Sequence, residues 1–119
     1  MKNARFIILS FLAITVCSCT KPATDVCKDA SISITVYADA NYKGVSQTFG
    51  EGVYFVKDLN IVGNDKISSF KISAPGCMKV RMCEHQDASS FGICKDYTED
   101  NAFLEDLNDK VSYIQVQRN

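Results

Sequence analysis

Asn64-Asp65-Lys66-Ile67-Ser68-Ser69 is a short polar run that returns 44 positions later as Asn108-Asp109-Lys110-Val111-Ser112-Tyr113. Each copy leads into an alternating tail, Phe70-Lys71-Ile72 after the first and Ile114-Gln115-Val116 after the second. A polar turn feeding a strand, used twice, describes one supersecondary unit in two copies, and a unit of this size is too small to bury its apolar face alone. The two copies are therefore expected to pack on each other. Asn, Asp and Ser offer oxygen ligands, the chemistry that a hard cation such as calcium requires. A metal site shared between the halves is the expectation.

The 119-residue chain has room for one domain, and residues 1–18 read as a signal peptide ahead of it. Lys2 and Arg5 form a basic start, and the apolar run from Phe6 to Val16 is interrupted only by Ser10 and Thr15. Eleven helical residues reach only about 16 Å against a bilayer core of roughly 30 Å, too short to span it. Val16-Cys17-Ser18-Cys19 resembles the lipobox of bacterial lipoproteins, which makes Cys19 the lipidated N-terminus, with ordinary secretion as the alternative. Cys17 at the middle position departs from that pattern. The implied location is a bacterial cell envelope, facing periplasm or exterior.

Without residues 1–18, 11 basic residues face 14 acids, a net charge of about minus three that offers nothing to nucleic acid. With Cys19 taken by lipid, Cys27, Cys77, Cys83 and Cys94 remain, an even set that reads in an exported domain as two disulfides with three possible pairings. Residues 19–30, which include Pro22, lack periodicity and read as a tether. From Ser31 onward Ile32, Ile34 and Val36 alternate with Ser33 and Thr35, a half-buried strand ending at Tyr37. Turn residues Asp39, Asn41 and Gly44 follow, then strands around Val45-Phe49, Val53-Val56 and Ile67-Ile72. After Ala74-Pro75-Gly76 the order of events repeats, with strands expected at Lys79-Cys83, Ile93-Tyr97 and Phe103-Leu104 before the last one. Eight short strands with Gly- and Asn-rich turns, and no helical period over ten residues, argue an all-β sandwich.

Two stretches resemble the βγ-crystallin family. Tyr37-Ala38-Asp39-Ala40-Asn41-Tyr42-Lys43-Gly44 fits its folded-hairpin motif, carried by Tyr37, Tyr42 and Gly44, in which the glycine stands where a side chain would collide and the aromatic packs over the corner. Asn64 to Ser69 fits the family's calcium-binding motif. The resemblance covers residues 31–116 and implies two Greek keys, residues 31–74 and 78–117, in one domain spanning residues 31–119. The second key departs from the pattern: Cys83 stands at the first aromatic, Ser90 at the second, and Tyr113 replaces the last Ser. A disulfide between Cys83 and Cys94 would brace that corner, and Cys27 would then pair with Cys77 at the junction between keys.

The resemblance also implies a ligand set in which the keys exchange residues. Asp65, the Lys66 carbonyl and Ser112 would hold one calcium, and Asp109, the Lys110 carbonyl and Ser68 the other, with further carbonyls from Ala38 and Glu84. Asn64 and Asn108 would fix the loops. With one carboxylate per ion and a lysine beside each, dissociation constants of roughly 10⁻⁵ to 10⁻³ M are expected. The competing reading is that Asp65 and Asp109 only cap turns.

Other chemistry is weak. The run starting at Asp87 lacks the acid that an EF-hand needs at its twelfth position, where Thr98 stands, and His85, the only histidine, reads as a loop residue. No Gly-x-Ser-x-Gly, P-loop or Gly-x-Gly-x-x-Gly is present, so a non-enzymatic protein is expected. The leading reading is a calcium-binding, membrane-anchored structural or adhesive module. The alternative is an extracellular protease inhibitor presenting the loop from Glu84 to Phe91 to a protease, and a third is an accessory protein without a ligand.

Overall fold

In the computed structural model, residues 23–87 and 89–119 are described. The signal peptide, the lipobox and Cys19 fall outside them. Among the described residues, alternation of apolar and polar positions gives seven strands in chain order: β1 (Ser33–Asp39), β2 (Lys43–Gly50), β3 (Gly52–Phe55), β4 (Ser69–Ile72), β5 (Met78–Cys83), β6 (Cys94–Tyr97) and β7 (Tyr113–Arg118). They form two antiparallel sheets, β2-β1-β4 and β3-β7-β5-β6. The fold is the two-Greek-key β-sandwich anticipated from the sequence. Strand β3 leaves the first key to pair with β7 of the second, Val53 opposite Gln115 and Phe55 opposite Tyr113. The keys are thus interlocked by backbone hydrogen bonds as well as by packing.

The inward positions of both sheets meet in one core. Ile34 and Val36 of β1 and Phe70 of β4 join Val80 and Met82 of β5 and Ile114 of β7, all fully buried. Each such side chain contributes about 1.5–3 kcal/mol relative to exposure. Ile67 and Val111, the apolar fourth residues of the two polar repeats, are equally buried, so each repeat is pinned to the core from within.

Two expectations are corrected. Among the described residues there is no eighth strand at Phe103-Leu104. The exchange that would return the second key's third segment to the first sheet is reduced to a single bridge, Asn101 opposite Phe70. Leu104 instead turns into the core, its N–H donating to the Ser68 carbonyl at 2.9 Å, and the chain enters a 3-10 turn at Glu105–Leu107. Part of the segment read as a tether is also folded: Ala23–Lys28 form a short helix, α1. Six residues do not sustain a helix in water by themselves. α1 is held from outside, by a disulfide from Cys27 to Cys77 and by the Arg118 guanidinium, which donates to the carbonyls of Cys27 and Ala30.

Edge strand β6 is short and charged, which discourages pairing with another chain. Arg81 forks onto Asp96 at 2.7 and 2.9 Å, and that guanidinium holds the Asp96 carboxyl below the ordinary carboxylate range.

The first hairpin corner obeys the aromatic and glycine pattern. Asn41 and Tyr42 take the left-handed conformation, at φ 57° and 62°, and Gly44 does so at φ 78°. The Tyr37 and Tyr42 rings lie 6.0 Å apart, and Ser69 Oγ closes the corner, donating to the Asp39 carbonyl at 2.6 Å and accepting from the Tyr42 N–H at 3.0 Å. A Cβ on Gly44 would sit 2.5 Å from Asp39 Oδ2 in a backbone conformation disfavoured for L residues. Gly44→Ala is therefore expected to cost about 1–3 kcal/mol, read as a lower urea midpoint with an unchanged slope. A midpoint equal to that of the parent protein would show that the corner relaxes freely.

Candidate metal centre

Both polar repeats fold as left-handed turns, with Asp65 at φ 55° and Asp109 at φ 53°, a conformation that Asp and Asn tolerate better than most residues. Each turn is threaded onto the opposite key. The Asp65 N–H donates to the Val111 carbonyl at 3.4 Å, and the Asp109 N–H donates to the Ile67 carbonyl at 3.1 Å. Three residues further along each repeat the pattern recurs against the hairpins, the Ser68 N–H donating to the Tyr37 carbonyl and the Ser112 N–H to the Cys83 carbonyl, both at 3.0 Å. The two halves are thus related by an approximate twofold that brings each aspartate to the serine of the other key.

The side chains follow that crossing. Ser112 Oγ lies 2.9 Å from Asn64 Oδ1 and 3.1 Å from Asp65 Oδ1, and Ser68 Oγ lies 3.3 Å from Asp109 Oδ1. Asn64 Nδ2 donates to Asp65 Oδ2 at 2.8 Å, and Asn108 Nδ2 to Asp109 Oδ2 at 3.1 Å, so each asparagine orients its neighbouring carboxylate. The hairpin carbonyls divide between the sites by the same logic. Tyr37 is tied to Ser68, which sets Ala38 on the Asp109–Ser68 side, and Cys83 is tied to Ser112, which sets Glu84 on the Asp65–Ser112 side.

Oxygen outnumbers available protons in both clusters. Ser112 has a single hydroxyl proton for two acceptors, and Asn108 Oδ1 is buried with no donor among the described residues. A buried polar atom left unpaired costs about 1–3 kcal/mol. A hard cation answers such an excess, and the donor set of carboxylate, hydroxyl and carbonyl oxygens fits calcium. Among the described residues no three or more His, Cys, Asp or Glu side chains converge as ligands, so hydroxyls, carbonyls and water would complete each shell. A cleft of about 180 Å³ opens on the Asp65–Ser112 side, lined by Asp65, Glu84, His85, Asp109, Lys110 and Ser112. His85 thus reaches the edge of the site from its loop, a placement signalled in the sequence only by its position next to Glu84.

The second hairpin corner is built differently from the first. Cys83 and Cys94 face each other across β5 and β6 and are joined by a disulfide with an S–S distance of 2.03 Å. Phe91, one position beyond Ser90, supplies the missing ring: its centroid lies 5.0 Å from that of Tyr113, which in turn packs 5.7 Å from Phe55. Tyr113, in the place of Ser69, packs its ring against Phe55 and Phe91, and its hydroxyl donates to Gln115 Oε1 at 3.3 Å rather than bridging the corner. Gly92 keeps the left-handed position at φ 65°.

Solved structures share this architecture. A βγ-crystallin domain from Flavobacterium johnsoniae is 36% identical, with a TM-score of 0.64, over 72% of this chain and 94% of that chain. A βγ-crystallin domain from Clostridium beijerinckii is 31% identical, with a TM-score of 0.62, over 71% and 95%. The N-terminal domain of protein S is 27% identical, with a TM-score of 0.63, over 72% and 96%. No protein-family model and no curated protein matches. A sandwich of two interlocked Greek keys with crossed Asn-Asp turns defines the class. The chain belongs to the βγ-crystallin family.

Proposed function

We propose that this protein is a calcium-binding, non-enzymatic βγ-crystallin module of a bacterial envelope, anchored through lipid on Cys19 and acting as a structural or adhesive element. The observation that supports it is the pairing of side chains across the halves, Asp65 with Ser112 and Asp109 with Ser68. Turn caps alone would need no partner from the other key. Asp65, the Lys66 carbonyl, Ser112 and the Glu84 carbonyl would hold one ion, and Asp109, the Lys110 carbonyl, Ser68 and the Ala38 carbonyl the other. Bound calcium would then bridge the keys that β3 and the core already join. Calorimetric titration of the purified protein with calcium is expected to give two binding events with dissociation constants of roughly 10⁻⁵ to 10⁻³ M. No heat of binding at millimolar calcium would reduce Asp65 and Asp109 to turn residues.

A second reading, inhibition of an extracellular protease, draws on the covalent base that the Cys83–Cys94 disulfide gives to the exposed loop carrying Gln86, Asp87, Ser89 and Ser90. A braced loop loses less entropy on docking. Stoichiometric inhibition of a protease that persists after calcium is chelated would favour it over the calcium module.

A further inference from the structure

We propose that Glu84 and Lys110 make the two calcium sites unequal: the Glu84 carboxylate joins Asp65 and Ser112 around one ion, and the Lys110 ammonium is the resting counter-ion that this calcium displaces. The proposal rests on the calcium reading above and adds to it an order of filling. Because the halves repeat, inequality between the sites comes from positions where they differ. The residue after the first hairpin position is Ala38 in one half and Glu84 in the other. Ala38 can offer only its carbonyl. Glu84 offers a carboxylate as well, and its side chain is 22% exposed, lining the same cleft as Asp65 and Ser112.

The Glu84 carboxylate is held but not saturated. Oε1 lies 3.6 Å from Lys110 Nζ, and Oε2 accepts from the Ile93 N–H at 3.3 Å, both long for charge-assisted contacts. Lys110 itself is half exposed, with Asp109 and Asp65 on the same cleft, so its ammonium occupies the region of negative potential that a divalent ion would seek. Its counterpart Lys66 forms no ion pair among the described residues. The asymmetry therefore runs in opposite directions for the two side chains: Glu84 adds negative charge to the Asp65–Ser112 ion, and Lys110 opposes its entry.

The test is calorimetric titration of the full chain with calcium chloride. The parent protein is expected to show two events of distinct affinity, the tighter one abolished by Asp65→Ala. Glu84→Gln preserves size and a carbonyl oxygen for Ile93, and is expected to weaken the tighter event about tenfold or more while leaving the weaker one in place, since calcium affinity follows ligand charge count. Lys110→Met removes the internal competitor and is expected to tighten the same event about threefold or more. Opposite signs in two variants separate the proposal from general damage to the fold, and equal calcium-free melting midpoints check this directly. Glu84→Gln leaving both events unchanged, or Lys110→Met weakening the tighter one, would overturn the proposal while calcium binding stands. Absence of calcium binding in the parent protein would instead overturn the calcium reading, and this proposal with it.

Discussion

Calcium at about 100 times its dissociation constant is expected to raise the unfolding midpoint by roughly 10 to 20 °C. An ion that binds the native but not the unfolded chain stabilises by RT ln(1 + [Ca]/Kd), about 2.7 kcal/mol at that ratio, and about 1 kcal/mol moves the midpoint of a domain this size by roughly 4–8 °C. The variants should fall into two classes that ignore chain proximity. Asp65→Ala and Ser112→Ala, 47 residues apart, are expected to remove the same increment, and Asp109→Ala and Ser68→Ala, 41 apart, the other. Within a class the double variant should lose no more than the single one, because both remove one ion; between classes the losses should add. Alanine at φ 55° carries backbone strain of its own, so each variant is compared with its own calcium-free midpoint. Grouping by neighbouring residues, with Asp65 following Ser68, would contradict the exchange of ligands between the keys.

Much of this architecture is legible in the sequence because it is carried by strict local patterns. The period of two at Ile32, Ile34 and Val36 fixes which face of β1 is buried, and Gly44 with its two tyrosines marks a corner that only a glycine can turn. The repeat itself announces only that two copies of one unit must pack on each other, and the pairing of Asp65 with Ser112 is legible through the resemblance to the βγ-crystallin family. What escaped was decided by tertiary contacts. The ring of the second corner moved from position 90 to Phe91, where Tyr113 and Phe55 make a socket that no local motif announces. Helix α1 is invisible to periodicity because its six residues are kept in place by Cys77 and Arg118 from distant parts of the chain. The expected strand at Phe103-Leu104 gave way because burying Leu104 and reaching the Ser68 carbonyl required a turn there.

Replacing both Cys27 and Cys77 with serine is expected to cost about 4 kcal/mol. The bond closes a loop with a sequence separation of 50, and the loss of chain entropy it imposes on the unfolded state grows with the logarithm of loop length. The Cys83–Cys94 bond, at a separation of 11, is worth about 3 kcal/mol by the same relation. Native contacts widen this gap. Without the link to Cys77, α1 loses its covalent hold, and the Arg118 bonds to Cys27 and Ala30 must order a short helix that has no stability of its own. The C-terminal end is disturbed too, because Asn119 donates from its backbone to the Cys77 carbonyl at 3.1 Å and from its side chain to the Gly76 carbonyl at 3.0 Å. Thermal unfolding of the two double-serine variants, both calcium-free, is therefore expected to rank them, with the Cys27/Cys77 variant melting some 15 °C or more below the parent and below the Cys83/Cys94 variant. The calcium increment should respond in the reverse order. Cys27 and Cys77 belong to neither candidate calcium site, whereas Cys83 accepts from the Ser112 N–H and precedes Glu84 in the chain. A Cys27/Cys77 variant that melted with the parent would mean that α1 and its staple contribute nothing to the stability of the sandwich.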